Sequence, residues 1–149
     1  MTAVTADRDP QFADGDYGWF NTASGETIYA GTMVMLNASG LAEAATDNSA
    51  NIFVGVACNY STGGADTAVV GTVNAEANRV KVKRTGTFLV NYSGTLTLAD
   101  IGTSPAIVDN ATLGPKASAS GDIGAGLIVE VPSATTCRVD MTYYTNVVT

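Results

Sequence analysis

From residue 27 onward the chain alternates short apolar runs with clusters of Gly, Asn, Asp and Ser, at a spacing that suits strands and not helices. Residues 32–36 run into Asn37-Ala38-Ser39-Gly40, which predicts a hairpin turn, because Asn and Gly accept left-handed backbone. Residues 51–60 set Val54, Val56, Cys58 and Tyr60 on one side and Phe53, Gly55, Ala57 and Asn59 on the other, a strand buried on much of both faces. Residues 67–73 predict a further strand, followed by a loop at 74–78. In residues 79–84, Arg-Val-Lys-Val-Lys-Arg, period two turns Arg79, Lys81 and Lys83 to one face and Val80 and Val82 to the other. Residues 86–92 and 95–98 continue the series, 99–102 predict one helical turn, and 105–109, 126–131 and 136–144 complete it. Together they predict an all-β chain, a compact antiparallel β-barrel or sandwich of about nine short strands, since parallel pairing needs long crossovers that are usually helical.

Residues 1–26 have a different texture. They are polar and Asp-rich, yet they hold Phe12, Tyr17, Trp19 and Phe20, four of the eleven aromatic residues and the only Trp. So polar a stretch has little to bury by itself, while aromatics are the residue types that anchor interfaces. The reading is an N-terminal docking arm over 1–26 followed by the β domain over 27–149, with deletion of 1–25 expected to leave the fold intact. The alternative for Trp19 and Phe20 is that they cover one end of the domain's own core.

Composition narrows the chemistry. A chain of 149 residues is the size of one domain, and β-branched and aromatic residues outnumber Leu, Glu, Lys, Arg, Met and Gln by more than two to one. The net charge of −7 argues against a general nucleic-acid binder, and no apolar run approaches the length that crosses a bilayer. The first sixteen residues carry no apolar stretch, so no secretory leader is expected and folding in a reducing compartment follows. His is absent, which removes the commonest general base and metal ligand.

Each remaining motif has a plainer reading. Cys58 and Cys137 fall on apolar strand faces and read as buried free thiols, able to bridge only if their strands are neighbours. Asp14-Gly15-Asp16 and Asp7-Arg8-Asp9 lack the ligand spacing of a calcium loop. Four Asn-X-Ser/Thr tripeptides, beginning at Asn37, Asn59, Asn91 and Asn110, read as turn chemistry. The Gly-rich run at 121–126 misses the phosphate-loop spacing, and no nucleophile elbow or aspartic-protease signature occurs. No catalytic residue, metal ligand or cofactor is assigned. The strongest local signal is cationic: four of the seven basic residues, Arg79, Lys81, Lys83 and Arg84, lie within six positions of an acidic chain. They read as a solvated face that also blocks unwanted edge pairing, or as a docking stripe for an acidic protein surface or, across a subunit boundary, for the acidic arm of a neighbouring copy. Nucleic acid ranks third, because no aromatic residue interleaves the basic ones along the sequence.

Several stretches carry a resemblance. Ile28-Tyr29-Ala30-Gly31-Thr32-Met33-Val34-Met35-Leu36 leads to Ser39-Gly40-Leu41, then come Phe53-Val54-Gly55-Val56-Ala57, the pair of runs at 98–102 and 106–112, and GAGLIVEVPSATTCRVDM at 124–141. In this order the chain resembles the bacteriophage capsid decoration proteins, also called head-stabilising or cement proteins. The resemblance implies a β-rich homotrimer without enzymatic activity, made in the bacterial cytoplasm. It would sit on the outer surface of the virion's expanded capsid, its partner the major capsid protein, with neither membrane nor nucleic acid involved. An N-terminal segment that orders against the shell would match the arm. Phe12, Tyr17, Trp19, Phe20, Arg79, Lys81, Lys83 and Arg84 are then the candidate capsid-binding residues. The alternative is a carbohydrate-binding or adhesive β module, whose exposed Trp19 and Tyr residues stack on sugar rings.

Overall fold

A computed structural model describes residues 15–64, 75–116, 120 and 123–143. In chain order the strands are β1 (Tyr17–Asn21), β2 (Thr27–Ile28), β3 (Met33–Leu36), β4 (Ala42–Ala44), β5 (Ile52–Ala57), β6 (Ser61–Thr62), β7 (Arg79–Lys83), β8 (Thr87–Tyr92), β9 (Ala106–Ile107), β10 (Thr112–Gly114), β11 (Leu127–Ser133) and β12 (Thr136–Asp140). They form two five-stranded sheets, β1-β7-β5-β3-β4 and β11-β12-β8-β10-β9, and a two-stranded ribbon, β2-β6. No closed barrel forms; the expected all-β class is met as a sandwich. Among the described residues no helix is long and apolar enough to cross a membrane.

Two apolar layers hold the sheets. Met33 and Met35 of β3 and Phe53 of β5 meet Val90, Ile107, Leu113, Ile128, Cys137 and Val139 of the second sheet in one buried cluster. On its other face the first sheet buries Val34, Ala42, Val54, Ala57, Val80 and Val82 with Ile28 of the ribbon. At its centre the first sheet is thus covered on both sides, and strands β3 and β5 read as near-continuous apolar runs.

The double burial depends on a bulge. Val34 pairs with Gly55 and Met35 with Phe53, leaving Val54 as the extra residue. Gly55 sits at φ +139°, and a Cβ there would overlap the carbonyl oxygen of Lys83 on β7. The bulge flips the side-chain parity of β5, so Phe53 and Val56 face the second sheet while Val54 and Ala57 face the other layer. Strict alternation through 51–60 therefore fails at Gly55. Cys58, expected on a buried face, is exposed just past the end of β5, whereas Cys137 is buried in the inter-sheet layer; both thiols are free.

Other departures have local causes. The strand expected at 95–98 is absent, because Thr97 and Asp100 close a capping box around the 3-10 turn Leu98–Asp100, with the Thr97 N–H donating to Asp100 Oδ2 at 2.7 Å. One pairing between strands is parallel: β10 lies beside β8, reached by a connection that carries this turn and β9 instead of an α-helix. The strand expected at 67–73 lies outside the described residues, as does Phe12. The arm expected over 1–26 differs in its second part: Tyr17–Asn21 is a sheet strand paired along its whole length with β7. Removing 1–25 would strip β1 from the sheet, since Phe20 packs against the layer around Val80 and Val82.

Two predictions follow from this packing. Gly55→Ala lowers unfolding stability by about 3 kcal/mol, whereas Gly25→Ala, also left-handed (φ +81°) but in open space, costs about 1 kcal/mol; urea denaturation checks both. Burial lifts the Cys137 thiol from 9.0 to about 11. Folding thus favours its neutral form, and this contribution is complete below the unfolded value and declines as pH rises from about 9 to 11. Native protein at pH 8 should react with a thiol reagent at Cys58 only, and Cys137→Val should flatten the alkaline fall of the thermal midpoint.

Candidate docking face

β7 is a strand with two different faces. Val80 and Val82 are fully buried, and period two then forces Arg79, Lys81 and Lys83 to the opposite side. That side is the one on which Val56, directly opposite Lys83, packs toward the second sheet. The second sheet does not cover it at β7 and β1, where Tyr17 and Trp19 remain 45% and 46% exposed. Among the described residues, the outermost pair of strands is an uncovered wing of the sandwich.

Register then sets the contacts. Tyr17 lies opposite Lys83, Trp19 opposite Lys81 and Asn21 opposite Arg79. The bonds from Arg84 N to Asp16 O and from Thr22 N to Asn78 O fix the phase of the ladder. In that phase Gly18/Val82 and Phe20/Val80 are the hydrogen-bonded pairs, and Tyr17/Lys83 and Trp19/Lys81 the non-hydrogen-bonded ones, whose side chains stand closest. The Arg79 guanidinium lies 5.1 Å from the Trp19 ring centroid, and the ammonium groups of Lys81 and Lys83 lie 4.4 and 4.6 Å from that of Tyr17. Rings and cations interleave as a ladder, at distances where the ring quadrupole attracts the charge. Arg79 Nε is buried without a hydrogen-bond partner.

The inner edge of β7 is closed by a side chain. β5 pairs with β7 only at Val56 and Ala57, and beyond it Asn59 accepts from the Lys81 N–H at 2.7 Å and donates to the Arg79 carbonyl at 3.1 Å. The Cys58 N–H donates to the Lys81 carbonyl at 2.8 Å. This amide replaces a strand and fixes the backbone that carries the cations. At the end of the wing Asp16 accepts from the Thr85 hydroxyl at 2.8 Å and from the Arg84 N–H, so it serves the corner.

The candidate residues are brought together in part. Tyr17, Trp19, Arg79, Lys81 and Lys83 share one face. Phe20 belongs to the opposite, buried side, which is the core-covering alternative realised for that residue alone. Arg84 lies exposed past the end of β7. Asn59 was missed as a site residue because its role depends on a backbone twenty positions away. The ground for ranking nucleic acid third also changes: the basic residues are interleaved by aromatics, contributed by a different strand.

Two further features flank this picture. Tyr29 and Tyr60, both mostly exposed, meet with centroids 5.5 Å apart and planes tilted by 55°. A cleft of about 240 Å³ is lined by Gly31, Met33, Phe88, Leu89, Val90, Asn91, Asn110, Ala111 and Thr136, with no titratable side chain among them. Among the described residues no group of three or more His, Cys, Asp or Glu could hold a metal ion. No protein-family model matches the chain, and no curated protein matches it.

The ladder is measurable in the free protein. Arg79→Ala should lower stability by about 0.5–1 kcal/mol, the size of a partly exposed cation–π contact, and should change the emission of Trp19, the chain's only Trp. Unchanged emission would mean that the guanidinium does not rest on the ring in solution.

Proposed function

We propose that the protein is a capsid decoration protein, a structural component that binds the outside of an expanded phage head and bridges neighbouring major capsid subunits. The observation that carries the reading is the cation–aromatic ladder of Tyr17, Trp19, Arg79, Lys81 and Lys83 on an uncovered wing of an otherwise acidic molecule. Support also comes from the sequence runs that resemble that family, which are distributed over both sheets. The ladder combines aromatic anchors with charge that selects an acidic partner surface.

The mechanism requires adhesion and no bond chemistry. A protein that binds the expanded lattice and not its separated subunits shifts the equilibrium toward the lattice, by about 2.7 kcal/mol per site at a free concentration of one hundred times Kd. A homotrimeric form multiplies modest contacts through avidity. In this reading the protein is made in the host cytoplasm and ends on the virion surface.

The exposed pair Tyr29 and Tyr60 favours a second reading, a carbohydrate-binding module, although rings tilted by 55° do not form one flat platform. Added to purified expanded heads, the protein should co-sediment with them and raise their thermal transition by several degrees. Lys81→Glu/Lys83→Glu should weaken this binding at least tenfold while the variant stays folded. Absence of co-sedimentation, together with glycan binding at micromolar strength, would replace the first reading by the second.

A further inference from the structure

We propose that the outer edge of β1 accepts an extended acidic peptide segment as an added β-strand, its carboxylates seated on the ammonium groups of Lys81 and Lys83. The inference rests on the docking reading of the same face and names the chemistry of what docks there.

The backbone supplies the first half of the argument. β1 ends its sheet, and among the described residues no strand lies on its outer side. In the phase fixed by the Arg84–Asp16 and Thr22–Asn78 bonds, the N–H and C=O groups of Tyr17 and Trp19 point away from β7. They form a short template for another chain. The usual guards of an exposed edge are missing from β1 itself: Tyr-Gly-Trp-Phe-Asn contains no Pro, no Lys and no acidic residue.

The charges supply the second half. The two ammonium groups belong to β7, one strand in from the edge, yet both lean onto the Tyr17 ring of β1, at 4.4 and 4.6 Å. Positive charge thus stands against a side chain of the edge strand itself, one strand spacing of about 4.8 Å from the position that a further strand would occupy. Two like charges share one ring, and the Arg138–Glu130 ion pair lies on the other sheet. Carboxylates entering beside Tyr17 would relieve that repulsion and gain charge-assisted contacts. A segment with Asp or Glu at alternate positions presents them all to the ladder face, because strand side chains alternate. A single-stranded nucleic acid fits less well: Tyr17 already carries both ammonium groups, so its ring is compromised as a base-stacking platform, and phosphates would leave the open backbone edge unused.

Fluorescence anisotropy with a fluorescein-labelled peptide of alternating Glu and Val tests this directly on the full chain. The Glu peptide should bind, lose affinity as salt rises, and bind at least tenfold better than the same peptide with Lys for Glu. Strand addition has its own signature. Of two peptides N-methylated at the Glu positions or at the Val positions, one should lose at least tenfold and the other should keep its affinity, because only one set of N–H groups faces β1; the Glu set marks antiparallel addition and the Val set parallel. Equal affinity of the two methylated peptides would overturn the inference, as would oligothymidine binding more tightly than the Glu peptide. Lys81→Glu/Lys83→Glu should reverse the preference toward the Lys peptide, and an unchanged preference would likewise overturn it. Heads are absent from this assay. Peptide failure with intact head binding refutes strand addition alone, and peptide binding without head binding refutes the proposed function alone.

Discussion

Two buried valines govern the arrangement of the wing. Val80 and Val82 fill the layer beneath the first sheet, and a strand has only two faces, so the cations between and beside them must stand on the other one. A slip of β7 by a single residue would carry Arg79, Lys81 and Lys83 into an apolar layer, at a desolvation cost no local contact could repay. The register is therefore set from below, by burial, and not by the cation–ring contacts above it, each of which contributes about a kilocalorie at most where exposed. The exposed face inherits a geometry that the core maintains. This explains how long, flexible lysine side chains come to be arrayed over particular rings.

That dependence runs through Gly55. A first sheet buried on both sides at its centre needs β5 to feed two apolar layers, and the bulge gives each of them two residues. The close approach of Gly55 to the Lys83 carbonyl is what lets β7 lie beside β5 where the bulge turns the strand. Farther along, β5 has ended and Asn59 takes its place with one donor and one acceptor. The cationic strand is held on one side by a bulged strand and a side-chain amide, and on the other by β1.

Local patterns in the sequence carried β3, β5, β7, β8, β9, β11 and β12, the Asn37–Gly40 hairpin and the two-faced character of 79–84, since each depends on neighbours within a few residues. What was not legible depends on distant partners or on one backbone angle. The flip at Gly55 moves Val56 to the other layer and leaves Cys58 in solvent, and strict period two has no means of expressing it. The capping box at Thr97 and Asp100 overrides a strand-like run because its two side-chain bonds hold the backbone in a turn. The pairing of β1 with β7 joins residues about sixty positions apart. From composition alone the same aromatics look like part of a loose arm, and only the register shows that Trp19 faces outward while Phe20 turns in.

An open, aromatic edge strand invites association with a second copy of itself, and charge decides against that outcome. Pairing β1 to β1 between two molecules would bring two sets of Arg79, Lys81 and Lys83 onto one continuous face, adding repulsion to the ammonium crowding already present at Tyr17. Each molecule also carries a net charge of −7, so long-range repulsion acts in the same direction. The edge is thus protected not by blocking its hydrogen bonds but by making them accessible only to a segment of the right sign. Discrimination of this kind places the repulsive element beside the attractive one. It also leaves the core undisturbed, because within β1 only Phe20 reaches the buried layer. A partner can engage the wing while the two cores that set its register stay as they are.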